Sequence, residues 1–156
     1  MKIRDCMKQN VVSIPATATV GEAAALFVAR HIGLLPVIDE HGRLAGILSL
    51  RDMIALALPA FANLIADVDF VHDFGAVELA RPAPETLAQP VTAIMRAATI
   101  VPEDCGLLRA YVLMHQHDLH DVPVVAADGT LMGVASRVDV ATAFLAGWQT
   151  GKAATR

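Results

Sequence analysis

The chain carries the same sequence pattern twice. When "LLPVIDEHGRLAGILSLRD" is set beside "DVPVVAADGTLMGVASRVD", Pro36 falls over Pro123, an offset of 87 residues. The same offset aligns Pro15/Pro102, Ala23/Ala110, Leu26/Leu113, Val37/Val124 and Gly42/Gly129. It continues through Leu44/Leu131, Gly46/Gly133, Ser49/Ser136, Asp52/Asp139 and Leu58/Leu145. A tandem duplication limits the fold to two copies of one unit, each too short to bury much surface without the other. The reading divides the chain into repeat one at 1–60, a connector with a helical extension at 61–90, repeat two at 91–148 and a tail at 149–156.

Within each unit the local chemistry predicts strand, helix, hairpin and helix. "VVSI" and "ATIV" are short β-branched runs closed by proline. "TVGEAAALFVARH" has helical spacing through Val20, Ala23, Ala24, Phe27 and Val28, and Thr19 with Glu22 forms a capping box at its start. "LPVID" and "LAGIL" are strands joined by "EHGR", and "VPVVA", "ADGT" and "LMGVA" repeat the hairpin. The second helices start at Ser49 and Ser136 and run to about Ala60 and Gly147. In the connector, "FANLIADVDFVHDF" reads as an extension of the helix and "RPAPETLAQP" as a Pro-broken stretch.

Composition bears on partners. The chain is 55% hydrophobic and 18% charged, more apolar than one small core can hide, so part of that surface is expected in a homodimer interface. "MIALALPAFANLIA" and "VATAFLAGW" are apolar on more than one face, which points to the same use. The net charge of −4 and the lack of any Lys/Arg run give no footprint for nucleic acid. Cys6 and Cys105 are too few for a disulfide framework, and "MKIRDCMKQN" lacks the apolar stretch of a signal peptide. No apolar run approaches the ~20 residues of a membrane span. The expectation is a cytoplasmic protein with no membrane span.

The stretch "HQHDLHD" at 115–121 could suggest a metal site. At the repeat offset it lies over "VARHIGL", so it is the last turn of a helix and the turn into a buried strand. His115 and His117 stand two apart and point to different faces. His117, His120 and Asp121 would converge only if the helix continued, and Pro123 opposes that. Histidines also suit the negative end of a helix dipole.

The pattern h-P-V-h-D…G-x-h-x-G-h-h-S-x-x-D, present as "LPVIDEHGRLAGILSLRD" and "VPVVAADGTLMGVASRVD", resembles the CBS domain, named after cystathionine β-synthase. The resemblance covers both repeats and leaves out only the connector and the tail. It implies an α+β fold: two β-α-β-β-α units with pseudo-twofold symmetry, the pair often called a Bateman module. It also implies regulatory rather than catalytic work, dimerisation through helices, and an adenosine-containing ligand (AMP, ADP, ATP, S-adenosylmethionine, sometimes NAD) in two clefts.

By that resemblance one cleft joins Met7, Val12, Ile32, Gly33 and Leu34, around the base, to Ser136 and Asp139, with Arg137 available to phosphate. The mirror cleft joins Met95, Thr99, Leu119, His120 and Asp121 to Ser49, Arg51 and Asp52. In "GILSLRD" and "GVASRVD" the Ser hydroxyl and the free N–H groups of the first helical turn suit phosphate. The Asp three residues on can accept ribose hydroxyls, and the glycine lets a ligand approach the backbone. The same S-x-x-D is a capping box that needs no ligand. Gly33 and Leu34, or His120 and Asp121, stand where members that bind polyphosphates often carry basic residues, which argues against tight ATP binding. Asp121 is expected beside Asp52, making the mirror cleft the poorer one for an anion.

Three readings follow: a regulatory adenosine-ligand module that signals to an unidentified regulated protein, a structural dimerisation module with empty clefts, and a metal-dependent enzyme using His117, His120 and Asp121. No activated nucleophile, HExxH helix or CxxC pair supports the third.

Overall fold

The structure is a computed structural model describing residues 1–57 and 81–150. In repeat one, β1 (Ile14–Pro15) leads to α1 (Val20–Arg30), β2 (Leu34–Ile38), β3 (Leu44–Ser49) and α2 (Leu50–Ala55). A short helix α3 (Pro84–Ala88) precedes repeat two, which runs β4 (Val101–Pro102), α4 (Leu107–Gln116), β5 (Asp121–Val125), β6 (Leu131–Ser136) and α5 (Arg137–Thr150). The expected α+β order is present in both copies. Helix α2 ends at Ala55, short of the expected Ala60, and "FANLIADVDFVHDF" lies outside the described residues.

Each repeat forms its own three-stranded sheet, ordered β1-β2-β3 and β4-β5-β6. The first pair is parallel and the second antiparallel, and both sheets slip register at equivalent places, between Val37 and Ile38 and between Val124 and Val125. Local signals place these elements. The Thr19 hydroxyl accepts from the Glu22 N–H at 3.2 Å while the Glu22 carboxylate accepts from the Thr19 N–H at 2.7 Å, closing the box read from sequence. Helices α1 and α4 are each followed by a left-handed residue, His31 at φ 50° and Asp118 at φ 48°, which turns the chain into the next strand. Gly42 at φ 75° and Gly129 at φ 87° make the hairpin turns. Those turns face each other across the pseudo-twofold axis, with Leu44 N–H on Gly129 O at 3.0 Å and Leu131 N–H on Gly42 O at 3.1 Å.

Two features depart from the sequence reading. "RPAPETLAQP" is not simply broken by its prolines: Pro84 occupies the first turn of α3, where its missing N–H is no loss and its fixed φ favours the helix. The offset of 87 also fails in the lead-in segments. Ile3 and Val91 start equivalent 3-10 turns, and Lys8 and Arg96 make equivalent bridges to Val134 and Ile47, so the offset there is 88 and repeat two is one residue shorter before β4.

These lead-ins cross over. Ile3 is buried in the core of repeat two with Val101, Met114, Val122 and Val140. Val91 is buried in the core of repeat one with Ile14, Phe27, Leu35 and Leu48. Each core therefore closes with a side chain supplied by the other repeat's lead-in, at roughly 1.5–3 kcal/mol per fully buried aliphatic group.

Candidate ligand-binding clefts

The crossover carries one cation to the start of each second helix. Ser49 and Ser136 are N-terminal to α2 and α5, and their repeats close the same hydrogen-bond ring. Ser136 Oγ donates to Asp139 Oδ2 at 2.7 Å and accepts from the Asp139 N–H at 3.0 Å, and the Ser136 N–H donates to Asp139 Oδ2 at 2.9 Å. In repeat one the matching distances to Asp52 are 2.6, 3.2 and 2.9 Å. The serine hydroxyls, expected to be open to phosphate, are taken up by these caps.

The two aspartates differ in their remaining oxygen. Arg96 Nε lies 2.8 Å from Asp52 Oδ1, so both oxygens of Asp52 are engaged. Lys8 Nζ lies 3.9 Å from Asp139 Oδ2, the oxygen that already serves the cap. Asp139 Oδ1 has no hydrogen bond or ion pair with another described residue.

At Lys8 and Asp121 a cleft of about 250 Å³ opens, slightly under the roughly 300–1,000 Å³ common for small-molecule pockets. Val11, Val12, Ile32 and Leu34 give it an apolar side, and Lys8, Asn10 and Asp121 a polar one. His31, Gly33 and Val134 complete it. Four residues expected around a base thus meet: Val12, Ile32, Gly33 and Leu34. Ser136 and Asp139 are not among the lining residues: Asp139 is linked to the cleft through Lys8, 3.9 Å away, and Ser136 through its strand partner Asp121.

Other expected members lie elsewhere. Met7 packs against the repeat-two core, and a Cβ built on Gly133 would stand 2.8 Å from its Sδ. Met95 stands in the same way over Gly46, at 2.9 Å. The close approach at both glycines is made by the protein's own lead-in segments, not left for a ligand. Arg137 is not turned to the cleft: its Nε donates to Leu119 O at 2.6 Å and its Nη2 to Asp118 Oδ1 at 2.8 Å. Its N–H donates to His120 O at 2.8 Å, so Leu119 and His120 form one clasped turn with it. Arg51 is exposed on the first turn of α2, and Thr99 is half-buried before β4.

Asp121 was expected beside Asp52 in the mirror cleft. It instead lines the first cleft, because it begins β5 opposite Ser136. Burial pushes its carboxyl up; Lys8 and His120 act against that rise and Asp139 adds to it. His115, His117 and His120 are exposed, and among the described residues no three His, Cys, Asp or Glu side chains gather as a metal set.

Sequence reasoning missed Lys8 and Arg96. A search allowing the offset to change would have paired Ile3/Val91, Met7/Met95 and Lys8/Arg96. It would have exposed a basic residue after a methionine in both copies.

The family model of the CBS domain matches residues 3–58 and again 91–146. The chain belongs to the CBS domain family. CBS pairs of this kind are regulatory ligand-binding modules. This CBS pair is 31% identical over 145 residues to the chloroplastic CBS domain-containing protein CBSX2 of Arabidopsis thaliana, covering 88% of this chain and 60% of that one. It is 28% identical over 140 residues to the protein MJ1404 of Methanocaldococcus jannaschii, covering 89% of this chain and 31% of that one. The chain thus spans from about a third to three fifths of the length of these curated relatives. Among solved structures, CBSX2 in complex with AMP superposes with a TM-score of 0.71 at 27% identity, covering 94% of this chain and 98% of that one. The CBS pair of MJ0100, in complex with 5′-methylthioadenosine and S-adenosylmethionine, has the same fold, with a TM-score of 0.66 at 20% identity and coverage of 94% and 98%. No helix among the described residues is long and apolar enough to cross a membrane.

Proposed function

We propose that this CBS pair is a cytoplasmic regulatory module that senses an adenosine-containing ligand and signals through a homodimer to a regulated protein. One observation carries the reading: a cleft with an apolar wall of Val12, Ile32 and Leu34, whose lining Lys8 lies 3.9 Å from Asp139, a carboxylate with one oxygen unengaged. An aromatic base suits the wall, and ribose hydroxyls suit the acceptor. The AMP complex of CBSX2 supports this choice of ligand class. Arg96 on Asp52 favours a second reading for the mirror cleft alone, in which that site stays empty and only stiffens the pair.

A thermal-shift series with adenosine, AMP, ATP, 5′-methylthioadenosine and S-adenosylmethionine tests the first reading. A ligand at 100 times its dissociation constant stabilises the fold by about 2.7 kcal/mol, which in a chain of this size raises Tm by about 5–10 °C. A flat response to all five would leave the empty-module reading.

Dimerisation rests on a second surface. Leu108, 67% exposed, and Trp148, 75% exposed, line an apolar groove of about 440 Å³ with Phe144. A monomer would leave that patch wet. Light scattering at micromolar concentration is expected to give twice the chain mass of 16.5 kDa. Trp148→Asp, by placing a charge in the patch, is expected to yield monomers. A wild-type protein that elutes at single mass removes the dimer from the proposal.

A further inference from the structure

We propose that the cleft at Val12, Ile32 and Leu34 selects adenosine derivatives whose substituent beyond the ribose is cationic or neutral, such as an adenosyl sulfonium, and that Asp121 reads that substituent. This rests on the adenosine-ligand reading above and names the class of ligand within it.

The cleft has an acceptor where a phosphate would need donors. Asp121 lines it, is only half-buried, and its carboxyl makes no hydrogen bond or ion pair with another described residue. The donors at the head of α5 are otherwise engaged. The Ser136 hydroxyl and N–H both serve Asp139, and the Asp139 N–H serves Ser136. Arg137, the guanidinium nearest in sequence, is held by Leu119 O and Asp118 on its own turn. In the lining there remain the neutral amide of Asn10, His31 and one ammonium, Lys8, which faces two carboxylates and is already 3.9 Å from Asp139.

Lys8, Asp121 and the adjoining Asp139 together carry one net negative charge when both aspartates are ionised. A dianionic phosphate would have to displace Lys8 from Asp139 and still face Asp121. A sulfonium or ammonium group gives Asp121 the partner it lacks. Partial burial makes this count, since a carboxylate removed from part of its water is stabilised more by an incoming cation than an exposed one is. Reversing the sign of one ligand charge about 5 Å from such a carboxylate changes affinity roughly ten- to hundredfold.

Repeat one shows that the position does not require an acid. Leu34 occupies it there, opposite Ser49 as Asp121 is opposite Ser136. Asp121→Leu is therefore a change that the strand already accommodates in the other copy, and Asp121→Asn keeps the shape while removing the charge.

Calorimetric titrations of the full chain at pH 7.5 with S-adenosylmethionine, neutral 5′-methylthioadenosine and AMP form the test. The wild type is expected to bind S-adenosylmethionine at least roughly tenfold more tightly than AMP. Asp121→Asn and Asp121→Leu are expected to collapse that ratio roughly ten- to hundredfold. 5′-Methylthioadenosine, with no charge to read, should change less than about threefold in Asp121→Asn, which also certifies an intact cleft. Wild-type preference for AMP, or a ratio that survives both substitutions, overturns the selectivity. If none of the three ligands binds wild type, the adenosine reading falls and the selectivity falls with it.

Discussion

Replacing Asp139 by alanine is expected to weaken binding of the adenosine ligand by about 10- to 150-fold, while Asp52→Ala changes it less than about threefold. The magnitude follows from losing hydrogen bonds to a charged acceptor, worth about 1.5–3 kcal/mol, at tenfold per 1.4 kcal/mol. The asymmetry follows from the two cations. Arg96 holds Asp52 Oδ1 at 2.8 Å, so a ribose there must displace a charge-assisted bond. At Asp139 the lysine sits at 3.9 Å on the oxygen already used by the cap, and Oδ1 is left for the ligand. Asp139→Ala also removes the cap acceptor of α5, at about 1 kcal/mol, so titrations belong well below Tm with helicity checked by circular dichroism. Arg96→Gln gives the reciprocal result: freeing Asp52 Oδ1 is expected to raise the stoichiometry toward two ligands per chain. Equal losses in Asp52→Ala and Asp139→Ala would show that the clefts are equivalent.

The second large effect is on stability. Gly133→Ala is expected to cost about 1–3 kcal/mol and to lower Tm by about 2–12 °C, the range for forcing atoms into a filled site in a chain of this size. A Cβ on Gly133 would stand 2.7 Å from Lys8 O and 2.8 Å from Met7 Sδ. The sulfur can move, but the carbonyl cannot: it accepts from the Val134 N–H at 3.0 Å, and Lys8 N–H donates back to Val134 O at 2.9 Å. Any shift therefore opens the bridge that lays the lead-in of repeat one on repeat two. Gly46→Ala should behave alike, since its Cβ would meet Arg96 O at 2.9 Å. Gly33→Ala, with no atom within 4 Å, is the control and should leave Tm nearly unchanged. Calorimetric melting of the three variants checks this, and a Gly133→Ala protein as stable as wild type would mean that the bridge gives way at no cost.

Much of the fold was legible in the sequence. The capping box at Thr19 and Glu22, the hairpin glycines and the capped starts at Ser49 and Ser136 all lie where the pattern put them. Each is made by groups within four residues of one another. The candidate site was legible in part. Val12, Ile32, Gly33 and Leu34 meet in one cleft, whereas Met7 and Arg137 point to other work and Asp121 changes clefts. In "RPAPETLAQP" the prolines concealed a helix, because the same missing N–H that breaks a helix interior suits its first turn.

By itself the sequence determined that there are two units, what each is made of, and that Ser and Asp stand three apart at the head of each second helix. Periodicity and capping are local, and the duplication shows them twice. Only the tertiary structure decided that the lead-in of each repeat closes the other's core, and with it which cation meets which aspartate. Lys8 with Asp139 and Arg96 with Asp52 are partners from opposite repeats, brought together by the burial of Ile3 and Val91. The two copies carry the same Ser and Asp, and no local signal tells them apart. The difference lies in one residue of lead-in length and in whether a lysine or an arginine arrives, because the reach and the fork geometry of that cation decide which carboxylate oxygen stays unengaged.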